Sequence, residues 1–193
     1  MAMLPDEIIR SMGFAAVGEN VQLSDKASIY GIDKISLGSN VRIDDFVVIA
    51  AGMGGISIGR NVHIAVGSSL IGAGKITLSD FSGISSRVSI YSSSDDYSGA
   101  SLTNPTVPEI YKNVTHAPVF IGRHVIIGSG SVILPGVSIE EGAAIGALSL
   151  VTKNCESFGI YTGNPAKRIK ARKRDFLDLE EDFLSSLNEE GSL

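Results

Sequence analysis

The chain of 193 residues has no tryptophan, one cysteine and three histidines. A disulfide framework or a cysteine-ligated metal centre needs several cysteines, so Cys155 alone indicates neither. No apolar run approaches the roughly 18 residues that a membrane-spanning helix needs. The N-terminal residues carry acids where a signal peptide has its apolar core. We therefore expect a cytoplasmic protein without a membrane span.

An excess of positive charge is also missing. The formal net charge is −5, whereas a surface that binds nucleic acid is usually basic. We therefore expect no nucleic-acid partner. The length of the chain suits a single domain over residues 1–193 that is large enough to bury a core.

What the chain does contain is a repeat of six residues. From Ile121 onward it reads IGRHVI, IGSGSV, ILPGVS, IEEGAA, IGALSL and VTKNCE, with a large aliphatic residue opening each hexad. This period does not fit the helical period of about 3.6 residues. Alternation along a strand places the first and fifth residues of a hexad on one face. The pattern predicts short strands separated by turns in a parallel β-helix.

The same repeat fills most of the chain before Ile121. Hexads occur in groups of three, and successive groups begin at Val17, Leu37, Ile58 and Leu78. Three hexads in each coil predict a triangular prism with one hexad on each side.

Two kinds of segment depart from the repeat. Residues 91–118 form a polar, proline-containing interruption, and long loops inside a regular domain are often functional. Helical patterns flank the repeat at residues 4–12 and 168–190. We expect an all-β parallel β-helix domain over residues 14–165 and a C-terminal helical tail over 168–190, which would cap the open end of the prism.

Equivalent hexad positions predict two columns of side chains. The fourth residue of the first hexad in each coil is Asn20, Asn40, Asn61, Phe81, His124 or Gly142. Asn and Gly tolerate the left-handed backbone of a tight corner, which predicts His124 as a corner residue. The sixth residue of these hexads points outward by alternation. His63 is therefore predicted to be a surface or interface residue.

The hexads, the long loop and the segments IGSGSVILPGVSI, IGALSLVTKN and GIYTGNPAKRI resemble the hexapeptide-repeat acyltransferases. The resemblance covers about residues 17–170. It is strongest to the galactoside and maltose acetyltransferase type and to the sugar O-acetyltransferases of polysaccharide clusters. It implies left-handed coiling, a homotrimer, and acetyl-CoA bound in a groove between neighbouring prisms.

The resemblance also implies which residues contact acetyl-CoA, namely Ser129, Ala147, Thr152, Lys153, Lys167 and Arg168. Small side chains let the pantetheine arm lie against the prism, and cations meet the nucleotide phosphates. An alternative remains for each: Ser129 and Ala147 also suit a turn, and Lys153 also suits a solvated surface.

The chemistry of acyl transfer requires a group that takes a proton from the nucleophile. Where the resemblance expects a loop histidine, this chain has Asp95, and the only loop histidine is His116. Three hypotheses stay open. His116 is the base, with Asp95 or Asp96 orienting its imidazole; Asp95 assists, or an amino sugar attacks directly; or the chain only binds a ligand. Either aspartate also suits a loop turn, and His116 also suits a polar loop position.

The expected function is acetyl transfer from acetyl-CoA to a sugar hydroxyl of a nucleotide sugar or a polysaccharide precursor. N-acetylation of an amino sugar and non-catalytic binding are the alternatives. The residues expected to shape the acceptor site are Tyr91, Asp96, Tyr97 and Asn104, with Asp95 beside them. No metal is expected, because the three histidines lack the closely spaced pair of the β-helical carbonic anhydrases.

Overall fold

The computed structural model describes residues 2–190, with side chains described over 2–187. Helix α1 spans Asp6–Ser11 and precedes the repeat. The strands of the first coils are, in chain order, β1 (Ala16–Val17), β2 (Gln22–Leu23), β3 (Ser28–Tyr30), β4 (Ile35–Leu37), β5 (Arg42–Ile43), β6 (Val48–Ala51), β7 (Ile56–Ile58), β8 (His63–Ile64), β9 (Ser69–Gly72), β10 (Ile76–Leu78), β11 (Gly83–Ile84) and β12 (Ser89–Tyr91).

The second half of the chain contains the long loop, the last coils and the tail. Its elements are β13 (Ser93–Ser94), β14 (Thr115–His116), β15 (Val119–Ile121), β16 (Ile126–Ile127), β17 (Val132–Ile133), β18 (Ser138–Ile139), β19 (Ala144–Ile145), β20 (Leu150–Val151), β21 (Gly159–Thr162), β22 (Lys167–Ala171) and helix α2 (Phe176–Glu190). Two short 3-10 turns lie at Ile32–Lys34 and Glu109–Tyr111.

Three sheets form the sides of a triangular prism. Sheet one has the strand order β1-β4-β7-β10-β15-β18, sheet two β2-β5-β8-β11-β16-β19-β21-β22, and sheet three β20-β17-β12-β9-β6-β3. Each strand of a coil pairs in parallel with the equivalent strand of the next coil, as Ile43 does with Ile64. The predicted left-handed parallel β-helix with three hexads in each coil is confirmed.

The core is a set of aliphatic stacks inside the prism. The residues that open the sheet-two hexads are at most 3% exposed: Leu23, Ile43, Ile64, Ile84, Ile127 and Ile145. Each side chain of this kind contributes about 1.5–3 kcal/mol when it is removed from water. The sixfold period of the sequence therefore becomes a column of buried side chains, one in each coil.

The predicted corner column between sheets one and two is confirmed. Asn20, Asn40, Asn61, Phe81 and His124 all have φ between +54° and +59°, the left-handed region that Asn and His enter more often than other residues. The corner between sheets two and three has a second such column, which the sequence analysis did not predict. Its residues are Phe46, Gly67, Arg87, Gly130 and Leu148, with φ from +57° to +72°.

The C-terminal tail differs from the expectation in two ways. Residues 167–171 form strand β22, which pairs antiparallel with β21, so the helix begins only at Phe176. This hairpin extends sheet two, and α2 does not lie over the open end of the prism. The helix instead packs along the corner column between sheets one and two.

The reason for this position is an aromatic and ionic contact surface at that corner. The His124 ring stacks on Phe81 at 5.1 Å between centroids and contacts Phe176 at 4.9 Å. The carboxylate of Glu180 is buried, accepts a hydrogen bond from His124 Nε2 at 2.8 Å and pairs with Arg123. No helix in the described part of the chain is long and apolar enough to cross a membrane.

The corner column can be tested at Asn61. Replacement by valine forces a β-branched residue into the left-handed region and should destabilise the protein by about 1–2 kcal/mol. Replacement by glycine, which adopts this conformation freely, should leave stability nearly unchanged. Urea unfolding followed by circular dichroism, at one protein concentration, measures both. Equal effects of Asn61→Val and Asn61→Gly would contradict the assigned backbone conformation.

Candidate active site

Small side chains line a groove along the corner between sheets two and three. This depression, called the corner groove below, has a volume of about 460 Å³ and is lined by Val66, Ser86, Arg87, Ser129, Gly130, Ala147 and Leu148. It brings together Ser129 and Ala147, two of the residues predicted to contact the cofactor. Both stand on equivalent corner positions of adjacent coils, where Leu148 N donates to Ser129 O at 2.9 Å.

The last coil continues the same corner toward a basic strand. Gly163 N donates to Ser149 Oγ at 3.2 Å, which holds the turn after β21 against the corner groove. Strand β22 follows, with Lys167 opposite Thr162 and Arg168 opposite Tyr161, and all its residues are exposed. Two predicted cofactor cations therefore lie just beyond the Ala147 end of the groove.

Two predicted cofactor residues lie elsewhere within the chain. Thr152 and Lys153 follow strand β20 and are exposed at the corner between sheets three and one. The width of sheet three separates them from Ala147. A single chain therefore does not bring them to the corner groove.

The long loop forms a second depression on the prism. It has a volume of about 350 Å³ and is lined by Tyr91, Ser93, Ser94, Asp95, Tyr97, Val132, Leu134 and Pro135. We call it the loop pocket. It brings together three predicted site residues, Tyr91, Asp95 and Tyr97. The Asp95 side chain is exposed, and its carboxylate forms no hydrogen bond within the described part of the chain.

His116 lies at the base of the loop, where β13 and β14 pair antiparallel. Its Nδ1 is 2.8 Å from Ser93 Oγ. Ser93 Oγ also accepts a hydrogen bond from Ala73 N at 2.7 Å, so its own hydroxyl proton is available for His116. The sequence analysis expected Asp95 or Asp96 to orient this imidazole. The structure gives that role to Ser93, because strand pairing sets the two residues opposite each other.

Two predicted substrate residues shape the loop instead of facing the loop pocket. Asp96 accepts hydrogen bonds from Ser98 N at 2.8 Å and from Ser101 Oγ at 2.9 Å. These bonds, above all those from Ser98, lower the pKa of Asp96 to about 2. Asn104 has a φ of +73° and accepts hydrogen bonds from both N and Oγ1 of Thr106. Both side chains are thus occupied by turns.

The sequence analysis missed a carboxylate–histidine pair on sheet two. His63 is exposed as predicted, but its Nε2 lies 2.9 Å from Oδ2 of Asp44, a buried residue of the preceding coil. Arg42 Nε donates to the other oxygen at 2.8 Å. Burial raises the pKa of Asp44, but hydrogen bonds from Arg42 and His63 outweigh burial and hold it below its ordinary value. In the sequence, the available signal for this pair was the spacing of nearly one coil between Asp44 and His63.

Within residues 2–190, no three His, Cys, Asp or Glu residues are grouped closely enough to hold a metal ion.

The prism, the corner groove and the long loop together define a hexapeptide-repeat transferase. The family model "Bacterial transferase hexapeptide (six repeats)" matches residues 118–153. The chain is 57% identical over 186 residues to the dTDP-4-amino-4,6-dideoxy-D-glucose acyltransferase of Escherichia coli, covering 96% of this chain and 97% of the relative. It belongs to the hexapeptide-repeat acyltransferases.

Solved structures agree with this assignment. AntD, an N-acyltransferase from Bacillus cereus, in complex with dTDP and 3-hydroxybutyryl-CoA, is 46% identical with a TM-score of 0.92, covering 96% of this chain and 98% of that chain. A galactoside acetyltransferase in complex with coenzyme A is 24% identical with a TM-score of 0.60, covering 88% of this chain and 74% of that chain. The latter shares the fold alone.

The hydrogen bonds of the Asp96 carboxylate predict that Asp96 orders the loop, whereas Asp95 does not. Asp96→Ala removes two hydrogen bonds that hold residues 96–101, so chymotrypsin cleavage near Tyr97 should become several-fold faster. Asp95→Ala is the matched control, because no described hydrogen bond depends on its carboxylate. Limited proteolysis under native conditions compares them. Equal cleavage rates for the two variants would show that the turn does not order the loop.

Proposed function

We propose that the chain transfers an acyl group from acyl-CoA to the amino group of a dTDP-linked 4-amino-4,6-dideoxy sugar. The observation that supports this most is the 57% identity to the Escherichia coli acyltransferase over 96% of the chain. Because the match covers 186 of the 193 residues, it includes the loop at 91–118. This proposal favours N-acylation, the alternative of the sequence analysis, over transfer to a sugar hydroxyl.

The reaction forms an amide and releases a thiol. The unprotonated amine attacks the thioester carbonyl, the carbon–sulfur bond breaks, and the sulfur of CoA takes up a proton. An amine is a stronger nucleophile than an alcohol and needs only the loss of its ammonium proton. The mechanism therefore requires a proton acceptor near the amine and donors for the developing oxyanion.

The loop pocket is the proposed site of the acceptor sugar. Asp95 is exposed there and is free to bind polar groups of that sugar. Tyr91 and Tyr97 border the same pocket and offer aromatic faces to the sugar or its base. His116, which Ser93 holds where β13 and β14 pair, is one of the proton acceptors that the sequence analysis predicted. The catalytic roles of Asp95 and His116 stay predictions.

The corner groove is the proposed site of acyl-CoA. Its small residues, Ser129 and Ala147, leave room for the pantetheine arm, and backbone groups can bond its amides. Lys167 and Arg168 lie beyond the groove, where they would meet the phosphates. Acetyl remains the proposed acyl group, and AntD with 3-hydroxybutyryl-CoA makes that longer group the second candidate.

The two halves of this site suggest a homotrimer. The corner groove and the loop pocket have no lining residue in common, and sheet three lies between them. A neighbouring prism can place its loop over the groove and bring Thr152 and Lys153 closer to the cofactor. Large apolar side chains exposed on and beside the groove fit such an interface: Phe46 is 62% exposed and Leu148 is 78% exposed.

The acceptor is tested by thiol release. With acetyl-CoA or 3-hydroxybutyryl-CoA, we expect rapid release when dTDP-4-amino-4,6-dideoxyglucose is added. The matched sugar nucleotide with a hydroxyl at carbon 4 should react at least about a hundredfold more slowly, because an alcohol needs stronger general-base assistance. Mass spectrometry of the product should show an amide. Equal rates with both acceptors would contradict N-acylation.

A site formed by the groove of one chain and the loop of another is tested by mixing two variants that are each expected to be inactive. Ala147→Trp blocks the corner groove at an exposed position, and Asp95→Ala removes the loop carboxylate. When the two variants are co-expressed and assemble at random, about a quarter of the wild-type activity should return. About a quarter of the sites then combine an intact groove from one chain with an intact loop from another. A site contained within one chain would recover no activity. Gel filtration confirms that each variant still assembles.

A further inference from the structure

A gap in the outward column of sheet two lies beside His63. Gly83 pairs with His63 on one side and with Ile126 on the other. Backbone conformation does not require glycine here, since the φ of Gly83 lies outside the left-handed region. Crowding does not require it either, because a Cβ at Gly83 would have no atom within 4 Å. The missing side chain therefore leaves a space on the outward face of sheet two, between His63 and Ile126.

This space is a notch of about 360 Å³, called the Gly83 notch below. Its lining is His63, Ala65, Gly83, Ile84, Ser85, Ser86, Ile126 and Ser129. Ser86 and Ser129 also line the corner groove. The notch and the groove are thus adjoining depressions of the same chain, with His63 on the side away from Ala147.

The imidazole of His63 is held in one orientation. Asp44 is buried and accepts hydrogen bonds from Arg42 Nε and from His63 Nε2. A neutral His63 therefore carries its proton on Nε2 and leaves the lone pair on Nδ1. Asp44 and Arg42 are the charged groups next to the ring, whereas Gly83 and Ser85 on the following coil carry no charge. The carboxylate stabilises the imidazolium that forms when Nδ1 takes a proton.

The direction of the corner groove places the reacting end of the cofactor at this notch. Coils stack at about 4.8 Å, so the corner path from Lys167 to Ser86 is roughly 15–20 Å, a length suited to an extended pantetheine arm. With its phosphates at Lys167 and Arg168, the cofactor brings its thioester to Ser129 and Ser86. The adjoining space is where an acceptor amine has to stand.

We propose that His63, oriented by Asp44, is the catalytic base of this acyl transfer, and that the Gly83 notch receives the acceptor amino group. The proposal rests on the proposed function. His63 Nδ1 takes one proton from the ammonium group, and the free amine forms a bond to the thioester carbonyl carbon. The carbon–sulfur bond then breaks, the nitrogen loses its second proton to the departing CoA sulfur, and His63 returns its proton to solvent.

His63→Gln tests the base directly. We expect kcat to fall by about 10²–10⁴-fold, with KM for acyl-CoA changed less than about threefold. The pH dependence of kcat should differ between the wild-type enzyme and the variant. The loss should shrink at high pH, where the amine is already unprotonated. Gln22→Ala, on the same outward column two coils away, is the control.

Two further variants distinguish a role of the notch in the reaction from a role in folding. Gly83→Val fills part of the notch, and its Cβ would have no atom within 4 Å. It should raise KM for the amino sugar while the melting temperature and acyl-CoA binding stay unchanged. Asp44→Asn keeps the shape but removes the charge that orients His63, so it should lower kcat less than His63→Gln does.

A binding measurement keeps the proposal testable without turnover. Addition of the dTDP amino sugar to the CoA-bound protein should shift the ring nitrogen resonances of His63 in ¹⁵N NMR. Unshifted resonances would overturn the proposal. So would a wild-type pH profile retained by His63→Gln and lost instead in Asp95→Asn or His116→Ala. Failure of the proposed function differs from both: the wild-type enzyme would then release no thiol with the amino sugar.

Discussion

The register of the coils depends on the aliphatic side chain that opens every hexad. Each of these side chains stacks on its equivalent in the next coil, so the parallel strands align without shift. A slip of one residue would turn a whole stack from the core to the solvent. Because every coil has this constraint, equivalent positions form columns along the whole prism. The corners, the outward faces and the grooves are all consequences of that alignment.

The proposed site is assembled from these columns. The corner between sheets two and three repeats a left-handed residue in five coils, and its small neighbours produce a continuous groove. The outward column of sheet two lacks a side chain at Gly83, which opens the groove to His63. Asp44 and His63 belong to successive coils, and the parallel pairing of Arg42 with His63 brings them together. A repetitive scaffold thus produces a specific site through a few departures from the repeat.

The loop at 91–118 is ordered by a different kind of interaction. It lacks hexads, so its order depends on local hydrogen bonds of polar side chains. Asp96 and Asn104 form turns with their own neighbours, and Ser93 holds His116. Asp95, next in sequence to Asp96, has no such bond in the described structure. Adjacent acids of the same type therefore have different roles, one in the architecture of the loop and one available to a ligand.

The amino-acid sequence by itself determined the β-helix, the three-sided coil, the position of the interrupting loop and the corner role of His124. These features follow from local periodicity and backbone preference, which are readable along one chain. The resemblance of their segments also pointed to Ser129 and Ala147, which the structure brings to one groove; their contact with acyl-CoA and the role of Asp95 stay predictions. Only the tertiary structure decided that Asp96 and Asn104 form turns, that Ser93 orients His116, and that α2 packs along a corner. It also decided that Asp44 meets His63 beside an empty position, because contacts between coils depend on register and shape that residue types alone do not encode.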